Sequence, residues 1–133
     1  AEYEEIAAYQ AGADSGLLKK PVLDLVLKFQ EHHRIHADAL ADAVGRKGGK
    51  PVQPKKPSEY GFQLNRKWVT QDDFLELAIM LERGVALIYL RRVPEFHDSR
   101  LSRAAAAMLG DEAMHWGLLR QMLGKEHISF TLV

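Results

Sequence analysis

The sequence predicts an all-α protein of four helices, arranged as two antiparallel pairs joined by a long crossover. Three observations predict it. Every strong apolar period in the chain is helical and none alternates as a strand does. Gly and Pro punctuation at Asp14-Ser15-Gly16 and at Pro94 separates the members of each pair by short turns. The stretch from about 45 to 69 holds Gly48-Gly49, several prolines and a run of basic residues, which is far more than a hairpin turn needs.

The first helix is expected over about 2–13, with Ile6 and Tyr9 on the face of Glu2. Pro21, suited to a first helical position, opens a second helix over about 21–44. Its inward stripe is Val22, Val26, Phe29, His33, His36, Leu40 and Ala43, recurring at alternating steps of three and four. Thr70 caps a third helix over about 70–92, and Asp72 and Asp73 in its first turn favour the positive end of the helix dipole. Leu75, Ile79, Glu82, Ala86 and Tyr89 form that stripe until Pro94 stops the helix. Asp98 or Ser99 caps a fourth helix over about 99–123, inward at Ala105, Met108, Glu112, His115, Leu119 and Met122, with Gly110 weakening it modestly and Gly124 ending it. The crossover at about 45–69 is expected to be a connection without elements, anchored by Tyr60, Phe62 and Trp68. Its extended reach exceeds the roughly 35 Å of such a helix, so the second and third helices can run parallel.

Composition bounds the function. At 133 residues, 47% of them hydrophobic, the chain can bury a core as a single domain spanning 1–133. Lys plus Arg equals Asp plus Glu at 18 each, so no global field recommends nucleic acid or an anionic membrane as a partner. The basic residues Arg46, Lys47, Lys50, Lys55 and Lys56 read as a solvated loop. The absence of cysteine excludes disulfides, thiolate ligands and cysteine nucleophiles and leaves the redox compartment open. No stretch reads as a transmembrane span or signal peptide. The sequence opens inside a helical pattern, which leaves room for an upstream leader or a further turn. Localisation is therefore undetermined, with the cytoplasm favoured and the periplasm accommodated if a leader has been removed.

The chemistry lies in polar residues on stripes that should be apolar. Glu112-Ala113-Met114-His115 places a carboxylate and an imidazole one turn apart on one helix face, a ready metal-binding pair. His33-Arg34-Ile35-His36 repeats the step with histidine in the carboxylate position. Glu2, His33, His36, Glu82, Glu112 and His115 all face inward, although unpaired buried carboxylates are costly. In an antiparallel hairpin, residues equidistant from the turn lie side by side. Glu82 and the Glu112/His115 pair are equidistant from the turn at His97-Asp98, and Glu2 and the His33/His36 pair from a point near Leu18. The halves echo one another, Glu2 and Tyr9 against Glu82 and Tyr89, and His33 and His36 against Glu112 and His115.

On these residues the chain resembles the ferritin-like superfamily, specifically the small bacterial ferritin-like domains built on a four-helix bundle. The resemblance covers nearly the whole chain. It implies one glutamate, then Glu-x-x-His, then one glutamate, then Glu-x-x-His, around a di-iron or di-manganese centre. Glu2, His36, Glu82, Glu112 and His115 match that pattern, and His33 departs from it. An imidazole offers one nitrogen where a carboxylate can bridge two ions, so a single ion or an asymmetric pair is expected as readily as two equal sites. Iron is the expected metal, with zinc or manganese as alternatives. The implied activity is metal-dependent oxidation or oxygen and peroxide handling; a homo-oligomer, a dimer, is expected.

A competing expectation is a noncatalytic helical bundle that binds a partner through Tyr60, Phe62 and Trp68. Its lapsed metal site would survive as a buried Glu/His/Tyr hydrogen-bond network. Glu5 is a substitute for Glu2 if the first helix is rotated, and His32 is a flank residue with a surface role. Glu31 reads as solvated, Tyr9 and Tyr89 as core aromatics, and Met108, Met114 and Met122 as packing residues. His97 and His127 read as turn and tail residues without a catalytic role.

Overall fold

The computed structural model describes residues 1–64 and 68–124, and these carry helices and turns with no strand among them. The expected His127 lies outside the described residues, as does the 65–67 part of the crossover. Helix α1 is Glu2–Asp14, α2 is Lys20–Arg46, α3 is the single turn Gly61–Leu64, α4 is Gln71–Arg92 and α5 is Ser99–Met122. The four long helices fall where the apolar periods place them. The crossover differs from expectation, because it contains α3 and a 3-10 turn at Pro57–Glu59. Pro57 pre-sets φ for that turn, and the Glu59 carboxylate accepts from the Lys56 N–H at 2.8 Å.

The chain divides into two compact units, Ala1–Phe74 and a second that begins at Leu75. In the first unit, contacts between α1 and α2 run in opposite order along the two helices. Glu2 meets His33 and His36, while Tyr9, further along α1, meets Phe29 edge-on. Gln30 locks the register: its Nε2 donates to the Ile6 carbonyl at 3.0 Å and to Gln10 Oε1 at 3.1 Å, and Arg34 donates to its Oε1 at 2.7 Å. The hairpin turn closes through Ser15, whose hydroxyl donates to the Gly12 carbonyl, and through Gly16 at φ +73°, a left-handed conformation that glycine adopts without a Cβ clash.

The buried face of α1 is Glu2, Glu5, Ala8, Tyr9 and Gly12, which corrects the expected stripe, since Ile6 is only half-buried. Apolar periodicity could not find this face, because two of its five members are carboxylates. On α2 the stripe holds from Val22 to His36 and shifts to Ala37; Leu40, expected inward, is exposed. The expected crossover anchors Tyr60, Phe62 and Trp68 are all buried. Phe62 N–H donates to Glu4 Oε1, Tyr60 Oη accepts from the Lys55 N–H, and Trp68 lies 5.3 Å from the Phe74 ring.

Thr70 and Asp73 cap α4 reciprocally: Asp73 N–H donates to Thr70 Oγ1, and the Asp73 carboxylate accepts from Val69 N–H, Thr70 N–H and the Thr70 hydroxyl. In the second unit every expected inward residue of α4 is buried. Pro94 does stop α4, converting the chain to a 3-10 turn at Val93–Glu95. Asp98, rather than Ser99, caps α5 by accepting from Arg100 N–H at 2.9 Å. Val85 and Tyr89 of α4 share a cluster with Ala105 and Met108 of α5. Glu82, earlier on α4, meets His115, later on α5, so the order of contacts is again reversed. Met122, expected inward, is exposed in the last turn of α5, and Met114 is exposed too. Trp116 is buried, and the Arg120 guanidinium lies 5.8 Å from its ring centre.

Two outcomes follow from this packing. A Cβ built on Gly12 would fall 2.2 Å from the Phe74 ring, so Gly12→Ala is expected to destabilise by about 1–3 kcal/mol. Chemical denaturation should show Phe74→Leu in the same chain recovering part of that loss, because the two positions share one space. The bonds from Val69 and Thr70 hold the Asp73 carboxyl below its ordinary value of 3.8. A lowered folded value means the stabilisation is complete above the ordinary value and is lost as the pH falls through the folded one. Thermal melts should therefore show the gap between the parent and Asp73→Asn narrowing below about pH 4.

Candidate metal centre

Glu2 and Glu5 project from the first turn of α1, and His33 and His36 from one face of α2. All four are at most 5% exposed, so their polar atoms are held away from bulk water and close to one another. Glu2 Oε2 lies 3.2 Å from His33 Nδ1 and 3.5 Å from His36 Nδ1. One carboxylate oxygen thus serves both imidazoles. The Glu5 carboxylate approaches His33 Nδ1 at 3.5 Å. Tyr9 stacks on the His33 ring, with centroids 5.3 Å apart and planes 17° from parallel, which fixes the imidazole in rotation. The Gln30 lock, one turn back along α2, holds the histidine face opposite the glutamate face.

The second unit repeats the arrangement with different members. Glu82 of α4 and Glu112 and His115 of α5 are each fully buried, at 0% exposure. His115 Nδ1 and Glu82 Oε2 are 3.2 Å apart. In both units the helical step of three places the paired residues on one face, and packing between the helices holds that face inward.

The donor set fits a transition metal. The candidate ligand atoms of Glu2, His33 and His36 lie within 4.8 Å of one another, as do those of Glu82, Glu112 and His115. Donors around one ion, at about 2.0–2.2 Å from it, sit roughly 3–4 Å apart, so small side-chain adjustments would bring each trio to bonding distance. Mixed carboxylate and imidazole donors suit iron(II), manganese(II) or zinc(II), whereas calcium asks for six to eight oxygens. A cation would also offset the cost of enclosing several carboxylates away from water.

Every residue of the expected ligand set is buried and faces at least one other member of its own unit. Glu31 is exposed, as expected, and His32 is half-buried beside Phe29. Two residues escaped the sequence reading. Glu5 was expected only as a replacement for Glu2 on a rotated helix, yet both are buried together. Its signal was present: Glu5 stands one turn from Glu2 and one from Tyr9, the spacing of a shared face. Gln30 carried no signal, because a glutamine beside an inward stripe is ordinarily solvated.

Comparison with known proteins agrees with this geometry. The sequence model of a family described as the ferritin-like domain matches residues 1–125. No curated protein and no solved structure gave a match. A match over nearly the whole chain, on a helical protein with buried glutamate and histidine groups able to hold a metal ion, establishes that the chain belongs to the ferritin-like domain family.

Proposed function

We propose that this protein is a ferritin-like metal-binding protein whose Glu2, His33, His36, Glu82, Glu112 and His115 are metal ligands. The observation that carries the reading is the convergence, in each unit, of buried carboxylate and imidazole donors to within 4.8 Å in a chain of this family. The matching register within each unit supports the reading, since Glu2 faces His33 and His36 as Glu82 faces His115.

Iron is the leading candidate, followed by manganese and zinc, in one or two equivalents. Bound iron or manganese would supply one-electron chemistry for oxidation or for oxygen and peroxide handling. The chain's own residues would hold and tune it. Glu2 and Glu82 each face an imidazole Nδ1 at 3.2 Å, a spacing at which a carboxylate oxygen and an imidazole nitrogen would hold one ion together. Tyr9 restrains the His33 ring, and the apolar residues flanking these groups keep bulk water out.

The competing reading, a metal-free Glu/His network, is favoured by the 3.2 Å contacts of His33 and His115, which already pair both imidazoles. The partner-binding version is not favoured, because Tyr60, Phe62 and Trp68 are buried within the chain's own fold. Elemental analysis of protein purified without chelator decides between metal and network. One to two equivalents are expected in the parent and loss in Glu112→Ala/His115→Ala. Anaerobic titration with iron(II) or zinc(II) should raise the melting temperature with metal concentration, by about 2.7 kcal/mol of stabilisation at a hundredfold excess over Kd. Absence of metal together with a flat melting temperature would leave the network reading standing.

A further inference from the structure

The first unit's cluster differs from the second's at two positions, and the two differences compensate. Aligning Glu2 with Glu82 and Tyr9 with Tyr89 sets Glu5 against Val85; aligning His36 with His115 sets His33 against Glu112. Glu5 and Val85 are both buried, as are His33 and Glu112. On α4 the inward position after the glutamate is apolar, and Val85 packs with Tyr89, Ala105 and Met108. The corresponding position on α1 is a carboxylate 3.5 Å from His33 Nδ1. Where one unit has valine on its first helix and glutamate on its second, the other has glutamate on its first and histidine on its second.

We propose that Glu5 is a further metal-binding carboxylate, which carries on α1 the negative charge and oxygen donors that the alignment with Glu112 would place on α2 at His33. The proposal rests on the metal-binding reading above and deepens it. Each unit then holds two buried carboxylates, Glu2 with Glu5 and Glu82 with Glu112. The first unit matches the second in negative charge, and His33 adds a nitrogen donor without subtracting an oxygen. The i, i+3 placement matters for stability as well. Two carboxylates enclosed one turn apart repel each other, and a cation between them removes that repulsion. A carboxylate retained only to pair with His33 would instead make the metal-free fold depend on it.

The test uses the full chain, stripped with chelator and titrated anaerobically with iron(II) and separately with zinc(II), following affinity, stoichiometry and melting temperature. Glu5→Gln, nearly isosteric, is expected to weaken binding by about tenfold or more or to lose one equivalent. The metal-free variant should melt no lower than the metal-free parent. Glu5→Val combined with His33→Glu, which gives the first unit the pattern of the second, should recover binding to within about threefold of the parent, whereas Glu5→Val alone should not. Parent-like affinity and stoichiometry in Glu5→Gln would overturn the proposal, as would a lower metal-free melting temperature with binding unchanged, the signature of a simple ion pair with His33. A parent that takes up neither metal would overturn the metal-binding reading itself, and that result is seen before any variant is compared.

Discussion

Seven side chains that are charged or can become so, Glu2, Glu5, His33, His36, Glu82, Glu112 and His115, are enclosed by helices with almost no access to water. An isolated buried carboxylate costs several kcal/mol, enough on its own to consume much of a small domain's stability. The arrangement of these groups is therefore a condition on the whole fold. Each imidazole must find a carboxylate across its helix pair, and each pair must keep its register within a fraction of a turn. A slip of one residue would carry a glutamate out of reach of its histidine and onto an apolar surface.

The rest of the structure can be understood as meeting that condition. Gln30 ties α2 to the backbone of α1 within a turn of His33. Tyr9 closes over the His33 ring, and Gly12 lets Phe74 sit against α1 where any side chain would prevent it. Asp98 and Pro94 set where α4 ends and α5 begins, and thereby the height at which Glu82 meets Glu112 and His115. Even the crossover contributes order rather than reach alone. Its aromatic residues are buried and its backbone is tied to Glu4, so it behaves as part of the first unit's packing.

The two units solve one problem with different residues. In the second, the polar groups are Glu82, Glu112 and His115, and the neighbouring inward position is Val85 in an apolar cluster. In the first, two glutamates stand three residues apart on α1 and two histidines three residues apart on α2. A bundle core accepts either distribution, because what burial penalises is unbalanced charge rather than the helix that carries it.

The sequence by itself determined the helices and the identity of most buried polar residues. Stripe periodicity located α2, α4 and α5 within a residue or two at their ends, and inward placement of His33, His36, Glu82, Glu112 and His115 followed because each interrupts an otherwise apolar face. The helix ends were legible where a cap or proline marks them, as at Thr70, Pro94 and Asp98. The phase of α1 was only partly so, because two of its five buried residues are carboxylates, and a hydrophobic pattern is blind to those positions. The exposure of Leu40 and Met122 was hidden as well: periodicity tells which side of a helix an apolar residue occupies, not whether anything covers that side. Only the tertiary structure decided that Glu5 is enclosed beside Glu2, that Gln30 is a clamp, and that the crossover folds into turns with buried aromatics. Those outcomes depend on which surfaces of distant segments meet, and no local spacing encodes that.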